Sequence, residues 1–368
     1  MREIRVLHVI ARMNVGGTAT YLANLIKGLE KYKVINLLAI GNVPKGEAED
    51  QVVDELPIVR VSDLSREISA ANDFASWRKL QKIIDEFRPD IIHSHTFKAG
   101  LLVRIGKKKA PIIHSFHGHH IYDPEFGFIR KWLINLVEKR LARKCDAIVT
   151  IGNRVMQDLL AKGVGRREQF EPIAPGIEKL NLTNRKKGRK LFGIGDDETV
   201  VVWLGRFTRV KRPDRVIEIA KRMPDITFVM AGGGELLNGI WEAAPSNVKL
   251  VGFQNKSDMW GIADIGLCTS DSEGMPLALI EAQYAGIPVI STDVGSVSEI
   301  VEDGVTGSLS SGEIEDLIKS LKKVLAQTKK SKKMQNASSK RAVQLFSADV
   351  MAKAHFDLYK KTLDKVAR

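Results

Sequence analysis

Two glutamates eight positions apart, Glu273 and Glu281, frame the stretch Ser272-Glu273-Gly274-Met275-Pro276-Leu277-Ala278-Leu279-Ile280-Glu281-Ala282. If the whole stretch were helical, the two carboxylates would be separated by about 12 Å, which suits contacts to two parts of one extended ligand. Pro276 fits the first turn of a helix that would carry Glu281. Glu281 sits among Ile280, Ala282 and Ala285, where an unpaired carboxylate is costly, so it needs hydrogen-bond donors.

Arg206, in Trp203-Leu204-Gly205-Arg206-Phe207, is followed five residues later by Lys211. Two cations at the end of an apolar run suit a diphosphate, with Arg gripping oxygens in a fork and Lys acting as a point charge; two solvated surface charges fit equally well. Three glycine turns follow apolar runs: Asn14-Val15-Gly16-Gly17-Thr18, Ala231-Gly232-Gly233-Gly234-Glu235 and Val251-Gly252-Phe253. Turns of this kind let backbone amides and helix N-termini meet phosphate. Each also reads as a plain loop, the dinucleotide fingerprint is missing, and Phe253 can face a nucleobase or belong to a core. His117, in Ser115-Phe116-His117-Gly118-His119-His120, also ends an apolar run. A lone histidine is most often structural; the adjoining glycine favours a role at a site.

What must position these residues is a series of short β-branched runs alternating with amphipathic stretches. Strands are expected at Ile4 to Ile10, Val34 to Ile40, Ile91 to Ser94, Ile112 to Ser115 and Ala147 to Ile151, with a helix from Ala19 to Glu30. The rhythm restarts after Pro172, Pro175 and Gly176, with strands at Thr199 to Leu204, Ile226 to Ala231, Val248 to Val251, Ile265 to Thr269 and Val289 to Ser291. Alternation of this kind implies α/β units with parallel sheets covered by helices on both faces. The expected domains are 1–174 and 175–347, two Rossmann-like doubly wound domains facing each other across a deep cleft. A helix at 348–368, apolar at Val350, Ala354, Phe356, Leu358 and Leu363, is expected to return to the first domain.

The chain has 368 residues, enough for two domains. No apolar run approaches the roughly 18 residues that span a bilayer, and Cys145 and Cys268 alone indicate no disulfide framework. A cytoplasmic protein is expected, one that can sit peripherally on the inner face of a membrane. The net charge of +13 is regional: residues 98–167 hold 15 Lys or Arg against 5 Asp or Glu, and 319–341 hold 9 against none. Within the first segment, Phe128 to Lys144 is basic and carries Trp132; it reads as a membrane-surface helix or as a core-packed helix with a solvated basic face.

Taken in order and spacing, these segments resemble glycosyltransferase family 4, retaining enzymes of the GT-B fold. The resemblance rests on Glu273 and Glu281 as an E-x7-E pair, on Gly205-Arg206 with Lys211, on Gly16-Gly17 and on Gly295-Ser296-Val297-Ser298-Glu299-Ile300-Val301. It covers nearly the whole chain. It implies that Arg206 and Lys211 hold a donor diphosphate, Glu281 the ribose and Glu273 the transferred sugar, with amides after Gly274 assisting. The donor contacts expected on this basis are Gly16, Gly17, Arg206, Lys211, Gly234, Phe253, Gly274, Met275, Pro276, Leu277 and Glu281. His117 and Glu273 are the catalytic candidates, and His95, Lys98 and His119 the acceptor-side ones. Met275 stands where the family often has an aromatic, and Ala174-Pro175-Gly176 where it often has Pro-Asn-Gly.

The implied reaction moves a sugar from a nucleotide-sugar donor, UDP-hexose or UDP-N-acetylhexosamine, to a glycan or lipid-linked acceptor in cell-envelope polysaccharide or glycoconjugate biosynthesis. No cofactor and no metal are expected, because cations and helix N-termini can stabilise the departing diphosphate. Asp271-Ser272-Glu273 has the look of a metal-binding carboxylate pair, but its place before a family-matching helix favours a sugar contact. A GT-B nucleotide-sugar epimerase is the alternative. A nucleic-acid-binding protein is a weaker one, since the basic segments lack interleaved aromatics. No protein partner is indicated; anionic membrane is the expected peripheral contact.

Overall fold

The computed structural model describes residues 3–44, 47–65, 69–106, 108–118 and 127–367. The chain divides into two compact units, Met1–Ile177 with Ala348–Arg368, and Glu178–Ser347. The change of unit falls just past the Pro172, Pro175 and Gly176 punctuation.

In the first unit β1 (Ile4–Ile10), α1 (Gly17–Glu30), β2 (Val34–Ile40), β3 (Ile58–Arg60), α2 (Ala70–Phe87), β4 (Ile91–His95), α3 (Phe97–Ile105), β5 (Ile112–Phe116), α4 (Phe128–Ala142), β6 (Ala147–Thr150), α5 (Asn153–Ala161) and β7 (Phe170–Pro172) follow in order. The strands form one parallel sheet, β3-β2-β1-β4-β5-β6-β7. Val6, Leu7, Val9 and Ile10 of β1 are all buried, as expected when helices cover both faces. Tyr21, Leu22, Leu25, Ile26 and Leu29 form the buried stripe of α1. The last helix, α14 (Ala348–Ala367), lies on α1. Gly28 permits the approach, since a Cβ there would stand 2.7 Å from the Ala352 side chain. Met351, Phe356, Leu358 and Tyr359 of α14 join the core that contains Leu22 and Ile26.

The second unit runs α6 (Arg185–Leu191), β8 (Thr199–Leu204), α7 (Pro213–Arg222), β9 (Ile226–Ala231), α8 (Leu237–Ala243), β10 (Val248–Leu250), α9 (Lys256–Ile262), β11 (Ile265–Cys268), α10 (Leu277–Tyr284), β12 (Val289–Thr292), α11 (Val297–Ile300), β13 (Gly307–Ser310), α12 (Ile314–Lys330) and α13 (Lys333–Phe346). Its sheet is also parallel, β10-β9-β8-β11-β12-β13. Pro213 opens α7, and Val216, Ile217, Ile219 and Ala220 bury its inner face.

Three strands escape sequence reading. β3, β7 and β13 are three or four residues long and lie at sheet edges, too short for a hydrophobic period. Gly307 in β13 is there because a Cβ would meet the Val289 carbonyl at 2.0 Å. Among the described residues no helix is long and apolar enough to cross a membrane.

Candidate active site

In each sheet the strand order reverses beside the first strand of its unit, between β1 and β4 and between β8 and β11. Carboxyl ends of strands at such a reversal are where doubly wound sheets bind ligands. Arg206 and Lys211 follow β8, and Glu273 follows β11, so the second unit brings all three to its reversal point.

Thr269 ties the two loops together. Its hydroxyl donates to the Lys211 and Arg212 carbonyls at 3.0 and 2.9 Å and accepts from Trp203 Nε1 at 3.1 Å. Oε1 of Glu273 takes Lys211 Nζ at 2.5 Å and Ser270 Oγ at 2.6 Å, with Cys268 Sγ at 3.7 Å. Oε2 of Glu273 has no hydrogen-bond partner among the described residues. Burial together with the nearby Glu273 charge raises the Cys268 thiol above its usual value. The Glu273 main chain is held by Gly295, at φ +54, where a Cβ would stand 1.8 Å from the Glu273 carbonyl oxygen; Ser296 N–H donates to Gly274 O at 2.8 Å. Arg206 is exposed, and its side chain has no ion pair or hydrogen bond among the described residues. The Gly274 and Met275 amides likewise donate to no described group. Met275 itself is buried, whereas Gly274, Pro276 and Leu277 are half-buried.

Two expectations change here. Pro276 caps α10 from the preceding position, in an extended conformation, rather than sitting in its first turn. Glu281, 2 % exposed, is not waiting for outside donors: Lys256 Nζ lies 2.6 Å from Oε1 and Trp260 Nε1 3.4 Å from Oε2. Lys256 and Trp260 stand one turn apart on α9, and that i, i+4 spacing is the signal in the sequence that sequence reading missed. Asp271 turns to other partners, with Arg215 at 2.6 Å and Arg212 at 3.2 Å, so it does not pair with Glu273 as a chelating set.

The Gly232-Gly233-Gly234 turn packs under the loop that carries Arg206. A Cβ at Gly232 would meet the Gly205 carbonyl at 1.9 Å and one at Gly234 would meet the Phe207 backbone at 2.6 Å. Phe253 lies across Gly233, where a Cβ would stand 2.7 Å from its ring, and is 74 % exposed, so it is not a core residue.

In the first unit Gly16, at φ +156, and Gly17 open α1 without a side-chain cap and are exposed. The first amides of a helix left in this way attract anions. His117 follows β5, and its ring meets Tyr21 of α1 edge-on at 4.6 Å. Behind it lies a polar core drawn from four strands and two helices. His117 Nε2 is 3.1 Å from His95 Nδ1, His95 Nε2 is 3.2 Å from His8 Nδ1, and His8 Nε2 is 3.2 Å from Asn36 Oδ1. His93 lies between Tyr359 (2.8 Å) and Ser115 (2.7 Å), and His355 between Tyr21 (2.9 Å) and the Met351 carbonyl (2.9 Å). Burial pushes His8 and His117 down to about 3 and His355 to about 4, and holds His93, His95 and His114 well below the usual imidazole value.

The acceptor-side expectations need correcting. His95 is fully buried behind His117 with both nitrogens engaged, so it cannot touch an acceptor. Lys98 is 4 % exposed and ion-paired with Asp73. His119 lies outside the described residues. Nitrogens of His8, His93 and His95 come within 4.8 Å of one another, the one cluster among the described residues with metal-ligand geometry. Every ring nitrogen of the three already has a hydrogen-bond partner, and no carboxylate is among those partners.

Residues 15–179 match the family Glycosyltransferase Family 4, and residues 184–341 match Glycosyl transferases group 1. A UDP-Gal:alpha-D-GlcNAc-diphosphoundecaprenol alpha-1,3-galactosyltransferase of Escherichia coli is 27% identical over 288 residues, 72% of this chain and 73% of that protein. A putative glycosyltransferase, EpsD, of Bacillus subtilis is 27% identical over 267 residues, 64% of this chain and 67% of that protein. Among solved structures, HepE of Anabaena in complex with UDP and glucose superposes with a TM-score of 0.83 at 19% identity, covering 98% of this chain and 100% of that one.

Proposed function

We propose that this chain, which belongs to glycosyltransferase family 4, moves a hexosyl or N-acetylhexosaminyl group from a UDP-linked donor to a glycan or lipid-linked acceptor of the cell envelope, with retention of configuration and without a metal. The two family matches, which together span most of the chain, and the named relatives make it a hexosyltransferase of the GT-B fold that uses a nucleotide-sugar donor.

The observation that carries metal-free transfer from a UDP-linked donor is the state of Glu273. One carboxylate oxygen is committed to Lys211 and Ser270, while the other is left to accept from hydroxyls of a sugar. Lys211 and exposed Arg206 beside it offer cationic charge to a diphosphate, and the unpaired Gly274 and Met275 amides add two donors. As the bond from the sugar to the diphosphate breaks, negative charge grows on the departing UDP, and fixed cations and amides lower the energy of that state. With Asp271 held by Arg212 and Arg215, the cations and amides supply the counter-charge. Gly16 and Gly17 offer the start of α1 to the same class of group, phosphate oxygens. Phe253 offers an exposed face to a base, and Lys256 can share Glu281 with ribose hydroxyls. Support for UDP comes from the relatives, one named for UDP-Gal and one solved with UDP.

A membrane-bound acceptor is favoured by α4. Only Glu138, Leu141 and Ala142 near its C-terminal end are buried, and Glu138 is fastened to Arg104 by two bonds of 2.8 and 2.9 Å. The helix is not simply amphipathic: Phe128, Ile129, Trp132 and Leu133 are exposed at its start, next to Arg130 and Lys131. Apolar side chains flanked by cations suit the interface of an anionic bilayer.

The experiment is turnover of UDP-galactose, UDP-glucose and their N-acetyl counterparts in EDTA, with Lys211→Ala and His117→Ala alongside the parent chain. Full activity of the parent in EDTA and loss of most activity in both folded variants is expected; abolition by EDTA with rescue by a divalent cation would refute the metal-free reading. Flotation with neutral and anionic vesicles reads the α4 proposal, and equal partitioning to both would remove its electrostatic part.

A further inference from the structure

We propose that Asn36, His8 and His95 form a one-way line of hydrogen bonds that fixes the tautomer of His117, holding its proton on Nε2 and leaving Nδ1 bare as an acceptor. The line can be read from its inner end. Asn36 Nδ2 faces two backbone carbonyls, Ile26 O at 3.4 Å and Val34 O at 3.3 Å, so the amide can be oriented only with Oδ1 toward His8. A carbonyl oxygen accepts, so His8 Nε2 carries a proton. In a neutral ring the other nitrogen is then bare, and His8 Nδ1 accepts from His95 Nε2–H. The same step repeats: His95 Nδ1 is bare and accepts from His117 Nε2–H. His117 Nδ1 is left with its lone pair and with no partner among the described residues.

The rings are neutral at pH 7 because burial disfavours the charged form in each. The line is a clamp and not a proton conduit. Were His117 to take a proton at Nδ1 and pass on the one at Nε2, the relay would end at the Asn36 amide oxygen, which is too weak a base to keep it. A metal held by His8, His93 and His95 is disfavoured, since binding would break the hydrogen bonds of these nitrogens and would bury a dication with no carboxylate among their partners in the described residues. His8, His95 and Asn36 are thus positioning residues. Only the catalytic consequence rests on the reading of His117 as a residue that meets the sugar, where the bare Nδ1 would accept a hydrogen bond from a hydroxyl.

Two readouts test this separately. Long-range nitrogen-15 NMR of the full chain, labelled at histidine, should show His8, His95 and His117 all protonated on Nε2 alone at pH 7. In Asn36→Leu, His117 should become a mixture of tautomers. A His117 proton on Nδ1 in the parent chain, a charged ring in any of the three, or one equivalent of co-purified metal lost in His8→Phe would overturn the proposal, whether or not any nucleotide sugar is turned over. For turnover of UDP-galactose or UDP-glucose, His8→Phe should lower kcat about tenfold or more, within the roughly 10⁴-fold that a wrong histidine tautomer can cost, with little change in donor KM. His8→Gln should restore most of it, because Oε1 can accept from His95 while Nε2 donates to Asn36. In a His117→Ala background, His8→Phe should add no further loss; an equal loss there would make His8 merely structural and overturn the catalytic consequence. If His8→Phe fails to fold, Asn36→Leu takes its place in the same cycle.

Discussion

Acid should unfold the first unit and spare the second. All eight histidines of the sequence fall within the first unit's residue ranges and none within Glu178–Ser347. For His8 and His355 the folded values are depressed to about 3 and about 4 by burial, against an unfolded value near 6.5. The unfolded chain therefore takes up protons as pH falls through about 6.5, while the folded rings stay neutral until about 4 or below. The unfolded state binds more protons in that window, so stability is full above about pH 7 and falls as pH is lowered. Between pH 7 and pH 5 each such ring contributes about 2 kcal/mol of loss, or about 4 kcal/mol for the two. His93, His95 and His114, also fully buried and held well below the usual value, act in the same direction. A loss of about 4 kcal/mol should lower the melting temperature of a unit of this size by roughly 8–16 °C. The two cysteines make the assay specific, since Cys145 lies in the first unit and Cys268 in the second. Urea titrations at pH 7 and pH 5, read by thiol labelling with an acid-tolerant disulfide reagent and peptide mass spectrometry, report each unit separately. Exposure of Cys145 should shift to much lower urea at pH 5, with Cys268 almost unmoved. An unchanged Cys145 midpoint, or equal shifts at both cysteines, would refute the reasoning.

Gly295→Ala places a Cβ against the Glu273 carbonyl at a positive φ, so the Glu273 loop must move; we expect kcat to fall at least about tenfold, at a backbone cost of about 1–3 kcal/mol, and parent-like kinetics would count against that loop as part of the site. Glu273→Gln keeps the shape of the side chain but removes the charge that pairs with Lys211; turnover should drop sharply while UDP binding, followed by calorimetry, persists. Lys256→Met leaves the buried Glu281, among the described residues, with only the long Trp260 contact, so the second unit should lose about 1–3 kcal/mol in urea titration, and bound UDP should recover part of that loss if ribose hydroxyls replace the ammonium.

Much of this protein is legible in its residues because the signals are local. A buried parallel strand is a short β-branched run, a helix start is a glycine or proline after it, and the runs from Ile4 to Ile10 and Thr199 to Leu204 can be read with no knowledge of their neighbours. The spacing of Glu273 and Glu281 and the Arg206 and Lys211 pair are local in the same way, so sequence reading could place Arg206, Lys211 and Glu273 at strand ends. Partner choice is not local. That Glu281 has Lys256, that Asp271 belongs to Arg212 and Arg215, and that Lys98 is spent on Asp73 depend on which loops a sheet order brings together. Edge strands such as Ile58–Arg60 were illegible because three residues carry no period. The histidines show the division most clearly. The runs Ile4 to Ile10, Ile91 to Ser94 and Ile112 to Ser115 are legible as buried strands and each holds a histidine, but nothing along the chain links those rings, and His95 reads as an acceptor contact. Laying those strands side by side and returning α14 against α1 joins the rings into one hydrogen-bonded core, and hydrogen-bond direction, which passes from ring to ring through space, leaves no mark on the order of residues along the chain.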